Sequence, residues 1–204
     1  MTDECLRRRW DEAWAELGLE PAEELFDEVI AGWREQHRAY HNIEHLSRCL
    51  ELAAEHRGLQ ERPAEVDLAL FFHDAIYSTT RFDNEERSAE WAEEALRDAG
   101  GDDVVAARVR DLVLVTAHPS TPSTVDEAVV LDIDLAVLGD DDAGFERFQR
   151  AVRTEYSWVP SFLFNMQRRK VLRSFLDAGP IYHTAPFRPL EERARANLER
   201  ALRA

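Results

Sequence analysis

The residues with the clearest chemical potential are the neighbours His73 and Asp74, which directly follow the apolar run 68–72. An unpaired carboxylate that is buried costs several kcal/mol, or its pKa rises until the group is neutral. A chain that places Asp74 next to such a run must therefore supply a partner for it. A divalent metal ion shared with the adjacent imidazole is such a partner, and the doublet predicts a metal site.

Further ligands for this ion lie upstream and downstream of the doublet. His45 closes the segment 40–45, and Asp132 and Asp134 lie in the mainly apolar segment 131–135. Imidazole and carboxylate ligands together suit Mn, Fe, Co, Ni or Zn better than Ca or Mg. On one helix, positions two residues apart point about 200° apart, so only one of the two later aspartates can reach the ion. Spacing alone leaves that choice open.

The elements that must position these residues are predicted to be helices along nearly the whole chain. Apolar residues recur at helical spacing, sustained period-two alternation is absent, and Asn42, Thr124 and the run 140–142 are suited to begin helices. The predicted fold is all-α, a single-domain helical bundle over residues 1–204. The predicted helices cover approximately 6–17, 21–33, 42–53, 63–74, 83–99, 104–117, 124–139, 143–158, 161–176 and 190–203.

Composition restricts the partners. The chain of 204 residues has 41 acidic and 25 basic residues, a net charge of −16, which disfavours binding to nucleic-acid polymers or anionic membranes. No stretch approaches the ~18 apolar residues of a membrane span. Its two cysteines, Cys5 and Cys49, offer no disulfide framework, so a cytoplasmic location is expected. A small anionic substrate would need local cations to attract it.

In their order along the chain, His45, the doublet His73-Asp74 and a later aspartate resemble the H…HD…D signature of the HD superfamily of metal-dependent phosphohydrolases. The resemblance extends from about residue 33 to 202 and is similar to a bacterial single-domain branch of predicted phosphohydrolases. It rests on Tyr40-His41-Asn42-x-x-His45, Phe72-His73-Asp74-Ala75-Ile76-Tyr77, Asn84-Glu85-Glu86-x-Ser88-Ala89, Asp132-x-Asp134-Leu135-Ala136-x-Leu138-Gly139, Ile181-Tyr182-x-Thr184 and Ala194-Arg195-x-Asn197-Leu198.

The resemblance implies a helical domain of the HD type that hydrolyses a small phosphorylated compound, with nucleotides among the candidates. It makes His45, His73 and Asp74 metal ligands and slightly favours Asp134 over Asp132 as the fourth. A bound divalent cation lowers the pKa of its water from 15.7 to near 7 and polarises a phosphoryl oxygen, which permits hydrolysis at neutral pH.

Several other residues are candidates for proton transfer or substrate binding. Glu85 or Glu86 could handle protons, as a helical acidic residue does in related phosphohydrolases, although Glu85 also suits the first turn of a helix. His118 could contact a phosphate or a second metal, or simply end a helix. His41, four residues before His45, is an alternative ligand.

A basic cluster at Arg168, Arg169, Lys170 and Arg173 could bind phosphate or be solvated surface, and residues 153, 155 and 156 could line a pocket. Three other interpretations of the site remain. A di-iron oxygenase of the same fold would need two histidines between the doublet and the last aspartate, where only His118 occurs. The chain could also be a non-catalytic binding module stabilised by a metal, or its polar residues could simply hydrogen-bond in the core.

Overall fold

Ten α-helices form within residues 1–117 and 120–203, which are the residues that the computed structural model describes. No strand occurs among them, so the predicted all-α fold is confirmed. Short 3₁₀ turns at 57–59, 135–139 and 188–190 join some of the helices. The helices are α1 (Asp3–Leu17), α2 (Leu25–Trp33), α3 (Ile43–Glu55), α4 (Pro63–Phe72), α5 (Asn84–Asp98), α6 (Asp103–Leu114), α7 (Val125–Asp134), α8 (Asp142–Glu155), α9 (Ser161–Asp177) and α10 (Glu191–Arg203).

Helix α4 is the centre of the core. Residues 64–72 are all buried, and the helix packs against α1, α3, α5, α6 and α7. A helix that is apolar on every side is stable only when other helices surround it. Its two buried acids are paired, Glu65 with Arg108 and Asp67 with Arg9. The carboxyl end of α4 therefore delivers His73 and Asp74 to the middle of the molecule.

Three predicted helix starts are confirmed by side-chain caps. The side chain of Asn42 accepts a hydrogen bond from the backbone N–H of Glu44 at 2.9 Å. Thr124 accepts one from Glu127 at 3.1 Å, and Asp141 accepts one from Gly144 at 2.7 Å. Such caps satisfy N–H groups that lack a partner in the first turn. They fix the starts of α3, α7 and α8.

Several helices end earlier than the sequence predicts. α4 stops at Phe72, and His73 keeps helical torsions in the turn that follows. α7 stops at Asp134 and continues as a 3₁₀ turn, and α6 ends in two i→i−3 bonds at residues 116 and 117, which tighten its last turn. α8 ends at residue 155, and a turn at 156–158 leads to Pro160.

Helix α9 lies at the surface. It is 17 residues long, and Leu172 is its only buried residue. Its first half exposes Phe162, Leu163 and Met166. Within the described part of the chain, no helix is both long and apolar enough to cross a membrane.

Candidate metal centre

Four side chains from three separate segments meet at one point in the core. His45 comes from α3, His73 and Asp74 follow α4, and Asp134 ends α7. The Nε2 atom of His45 lies 3.2 Å from Nε2 of His73 and 3.2 Å from Oδ1 of Asp134. His73 Nε2 lies 3.3 Å from Oδ2 of Asp74 and 3.7 Å from Oδ1 of Asp134. The structure thus brings together His45, His73, Asp74 and Asp134, as one predicted ligand set requires.

The orientation of the His73 ring is fixed by a hydrogen bond at Nδ1, the ring nitrogen that does not face the cluster. Its Nδ1 lies 2.8 Å from the carbonyl oxygen of Leu70, which can only accept, so Nδ1 carries a hydrogen and donates it. In the neutral ring, the lone pair is then on Nε2, which faces the other three side chains. The ring of Trp33 packs 5.1 Å from that of His73, and its indole N–H donates to the carbonyl of Phe71 at 2.8 Å. Metal-binding histidines are commonly held in this way.

The turn that carries Asp74 is held by Arg38 and by a close approach of α2. The buried guanidinium of Arg38 donates to the carbonyls of Asp74 at 2.5 Å, Ala75 at 3.1 Å and His41 at 3.2 Å. A Cβ atom on Gly32 would lie 2.5 Å from the Ala75 carbonyl oxygen, so α2 packs against this turn only because residue 32 is glycine. Both features fix the backbone of the doublet.

The donor atoms fit one transition-metal ion. Bonds of 2.0–2.2 Å from a metal to nitrogen or oxygen place neighbouring ligand atoms about 3.0–3.4 Å apart, for octahedral and tetrahedral arrangements respectively. The observed separations of 3.2–3.7 Å are close to these values. The imidazoles are 3% and 1% exposed, whereas the carboxylates of Asp74 and Asp134 are 12% and 14% exposed. The carboxylates therefore lie on the solvent side of the cluster.

The two carboxylates of the cluster favour a positive charge, a proton or a metal ion, on the nearby imidazole of His73. Burial would lower the pKa of His73, but the carboxylates of Asp74 and Asp134 outweigh it and raise this pKa to about 9. Burial would raise the pKa of Asp74, but the His73 imidazolium holds it well below its ordinary value. Burial lowers the pKa of His45 despite Asp134. A proton and a metal ion would thus compete for the Nε2 atom of His73.

The other aspartate of α7, Asp132, points elsewhere. Its side chain accepts hydrogen bonds from the backbone N–H of His183 at 2.8 Å, from that of Thr184 at 2.7 Å and from the Thr184 hydroxyl at 2.6 Å. The structure therefore brings Asp134, and not Asp132, to the imidazoles. Asp132 instead attaches the segment 183–184 to α7.

The sequence interpretation did not include Cys49 as a ligand. Its Sγ atom lies 3.7 Å from Nε2 of His45, and donor atoms of His45, Cys49 and His73 all lie within 4.8 Å of one another. Burial, together with Asp134 and Asp74, raises the pKa of the Cys49 thiol well above its ordinary value. The available signal was the i, i+4 spacing of His45 and Cys49, which places both on one helix face.

Beside the centre, Glu155 holds the loop that precedes α3. Its Oε1 accepts the backbone N–H groups of Ala39, Tyr40 and His41 at 2.7–2.9 Å. Its Oε2 accepts the Tyr77 hydroxyl and Nδ1–H of His41, both at 2.8 Å. Burial would raise the pKa of Glu155, but the bond from His41 and the backbone N–H groups lower it to about 2. The sequence suggested only that this residue lines a pocket.

His41 adjoins the cluster, with its Nδ1 engaged by Glu155 rather than by the other imidazoles. Its ring stacks on Tyr77 at 4.4 Å and lies 6.2 Å from the ring of His45. Burial would lower its pKa, but the hydrogen bond to Glu155 raises it above the ordinary value. The structure thus places this alternative ligand in a glutamate–imidazole pair next to the centre.

The predicted proton-transfer residues differ in position. Glu85 is half-buried in the first turn of α5, and its charge contributes, after burial and Glu155, to the raised pKa of Tyr156. Glu86 is exposed. His118 lies outside the described residues. Proton transfer by these side chains stays a prediction.

The basic cluster of α9 separates into two kinds of residue. Arg168 is half-buried and donates through Nε at 3.1 Å and Nη2 at 2.7 Å to the side-chain oxygen of Gln149. Arg169, Lys170 and Arg173 are exposed. Of the other predicted pocket residues, Arg153 donates to the carbonyls at 156 and 159 and so closes the end of α8.

Comparison with known proteins does not identify a family for this chain. No family model, no curated protein and no solved structure matches the chain. Its function must therefore be inferred from the arrangement of its own side chains.

Proposed function

We propose that this protein is a metal-dependent phosphohydrolase that acts on a small phosphorylated compound. The observation that carries the proposal is the convergence of His45, His73, Asp74 and Asp134 from three segments of the chain. Two neutral imidazoles and two carboxylates balance the charge of a divalent cation. Their mixed nitrogen and oxygen donors suit Mn, Fe, Co, Ni or Zn.

The chemistry of such a site divides between the ion and the chain. When bound, a divalent ion supplies a Lewis acid for the phosphoryl oxygen and a water of lowered pKa. The chain orients His73 through the Leu70 carbonyl and holds the backbone of Asp74 through Arg38. The carboxylates lie on the more exposed side of the cluster, where a substrate would approach. The HD resemblance supports a phosphate ester as that substrate.

Proton transfer to the leaving group is assigned to Glu85 within this proposal. Glu85 is half-buried, and its charge contributes, after burial and Glu155, to the raised pKa of Tyr156. A general acid must be within hydrogen-bond reach of the leaving oxygen when substrate is bound. Glu86 is exposed and serves as the matched control for this role.

The test combines metal analysis with a substrate screen. The purified protein is supplied separately with each of the five metals, and bound metal is measured by mass spectrometry. Phosphate release is then assayed on a panel of nucleotides and sugar phosphates. We expect about one ion per chain and turnover of at least one ester. His73→Ala should lose both, whereas His56→Ala, which changes a histidine outside the cluster, should lose neither.

Two results would contradict the proposal. One is a wild-type protein that binds none of the five metals. The other is phosphate release that persists unchanged in His73→Ala. Two irons per chain with oxygen consumption would instead indicate the di-iron oxygenase.

A second candidate is favoured by Cys49. A thiol beside two buried imidazoles supplies three of the four nitrogen and sulfur ligands of a structural zinc site, and such a site would make the chain a metal-stabilised binding module. This candidate predicts that a chelator lowers the melting temperature strongly while no ester in the panel is hydrolysed. Turnover that depends on His73 would exclude it.

A further inference from the structure

Two half-buried arginines, Arg153 and Arg168, form no ion pair with a carboxylate of the described residues. Arg153 donates to the backbone carbonyls at 156 and 159, whereas Arg168 has no such backbone partner. In this acidic chain, Arg9, Arg38 and Arg108 each form an ion pair with a carboxylate. Among the described residues, no carboxylate lies within ion-pair distance of Arg168. Two of its N–H groups converge on one neutral oxygen, that of Gln149. A guanidinium has five donors, so most of its capacity for hydrogen bonds is unused by the described protein.

The surroundings of Arg168 connect it to the metal centre. Its guanidinium lies 5.2 Å from the centre of the Phe148 ring, which packs 4.6 Å from the Tyr40 ring. Tyr40 in turn packs 4.8 Å from the ring of His45. Burial lowers the pKa of Arg168, and the phenols of Tyr156, Tyr40 and Tyr77 act in the opposite direction. The arginine is therefore at the edge of the same group of aromatic side chains that encloses the histidines.

These surroundings contribute no formal negative charge to Arg168. Burial lowers its pKa to about 10, so the group remains cationic near neutral pH. A partly desolvated cation interacts more strongly with an anion than a solvated one does. The net charge of −16 repels an anionic substrate, so the site needs at least one cation that no carboxylate of the chain neutralises.

We propose that Arg168 binds a phosphate group of the substrate at the edge of the metal centre. The planar guanidinium offers paired N–H donors whose spacing matches two oxygens of a phosphate. Gln149 fixes the orientation of the guanidinium without neutralising it. The identification of the ligand as a phosphorylated substrate rests on the proposed function, whereas the anion site itself is independent of it.

The test measures binding of inorganic phosphate by calorimetric titration at constant ionic strength, with both metal-free and Mn²⁺-loaded protein. We expect Arg168→Gln to weaken phosphate binding about tenfold or more, since it removes the charged donors of the hydrogen bonds to the phosphate. Arg169→Gln alters the adjacent, exposed arginine and should change the affinity less than about twofold. Arg168→Lys keeps the charge without the planar donors and should give an intermediate affinity.

The outcomes separate this inference from the proposed function. Mn²⁺ affinity should be unchanged in all three variants, and melting curves verify that each is folded. Equal phosphate binding by Arg168→Gln and wild type, or no phosphate binding by either form of the wild type, overturns the role of Arg168. A wild type that binds phosphate but no Mn²⁺ contradicts the metal centre, and the metal-free titration still decides the role of Arg168.

Discussion

Four buried or half-buried carboxylates of this protein form two pairs with opposite surroundings. Asp132 and Glu155 are enclosed by hydrogen-bond donors, three for the first and five for the second. Asp74 and Asp134 instead face the Nε2 atoms of two imidazoles. Hydrogen-bond donors already compensate the charges of the first pair. The second pair faces ring nitrogens that can take up either a proton or a metal ion, and either one supplies positive charge to balance the carboxylates.

The contact distances of the two pairs of carboxylates also differ. The donor contacts of Asp132 and Glu155 span 2.6–2.9 Å, the range of strong hydrogen bonds to an ionised carboxylate. The contacts among the four side chains of the cluster span 3.2–3.7 Å. The shorter set stabilises the fold, and the longer set leaves room for an ion between the atoms.

The largest expected effect comes from neutralising, one at a time, the two aspartates of α7. Asp134→Asn should weaken transition-metal binding at least about 100-fold, because it removes an anionic ligand, and changes even to groups behind the ligands cost 10–100-fold. Asp132→Asn should leave metal affinity within about threefold. Its effect should be on stability, at about 1–3 kcal/mol, because it disturbs three hydrogen bonds to 183–184. Competition with a chelating dye and denaturant unfolding measure the two quantities.

Either of two findings would remove the distinction between these aspartates. One is a 100-fold loss of metal affinity in Asp132→Asn. The other is a metal affinity in Asp134→Asn that equals the wild type. The paired design matters because both variants make the same chemical change two residues apart on one helix.

The two aspartates also show what the sequence could predict. Helical geometry indicated that only one of Asp132 and Asp134 could reach the ion, because their directions differ by about 200°. It could not decide between them, since the donors that engage Asp132 lie 51 and 52 residues away along the chain. Positions 183–184 carry no local signal that relates them to α7.

The helices themselves were largely predictable because their signals are local. Apolar spacing and the caps at Asn42, Thr124 and Asp141 act within a few residues, and the structure confirms them. The role of Glu155 was not predictable, because its partners lie 114–116 residues away for the loop and 78 for Tyr77. Long-range contacts between polar groups leave no periodic pattern in a single sequence.

The next expected effect is on folding, at the donor-enclosed carboxylate Glu155. Glu155→Gln keeps the side-chain volume. It removes the negative charge of a group whose two oxygens accept five hydrogen bonds, and it replaces one of these oxygens by an NH₂ group that cannot accept. We expect the free energy of unfolding to fall by about 2–4 kcal/mol near neutral pH. The control is Glu146→Gln, an exposed residue of the same helix, with a change below about 0.5 kcal/mol. Urea unfolding measures both, and equal effects would contradict an anchoring role.

The stability difference between wild type and Glu155→Gln should also depend on pH. Because the pKa of Glu155 is lowered to about 2 in the folded state, its stabilisation is present above the unfolded carboxyl pKa of about 4.3 and is lost as pH falls toward 2. The pKa of His41 is raised in the folded state. The contribution of protonated His41 to the free energy of unfolding is therefore fully present below about pH 6.5 and is lost as pH rises through the pKa of His41 in the folded protein. The difference should therefore be largest between about pH 4.3 and 6.5. A difference that stays constant from pH 3 to 8 would contradict the ionised pair.

The smallest expected effect concerns Cys49, which lies at the metal cluster but belongs to neither group of carboxylates. The carboxylates of Asp74 and Asp134 already balance the charge of a divalent cation, so a thiolate ligand is not needed for charge. Cys49→Ser should therefore change metal affinity less than about threefold, against the 100-fold or larger loss in Asp134→Asn. Because serine is smaller and polar in a buried position, a modest loss of stability is expected in parallel, and Cys49→Ala separates this packing effect from ligation. If both Cys49 variants lose zinc as strongly as Asp134→Asn does, Cys49 is a ligand of the ion together with the histidines. The contrast between donor-enclosed and imidazole-facing carboxylates would then no longer define the metal site.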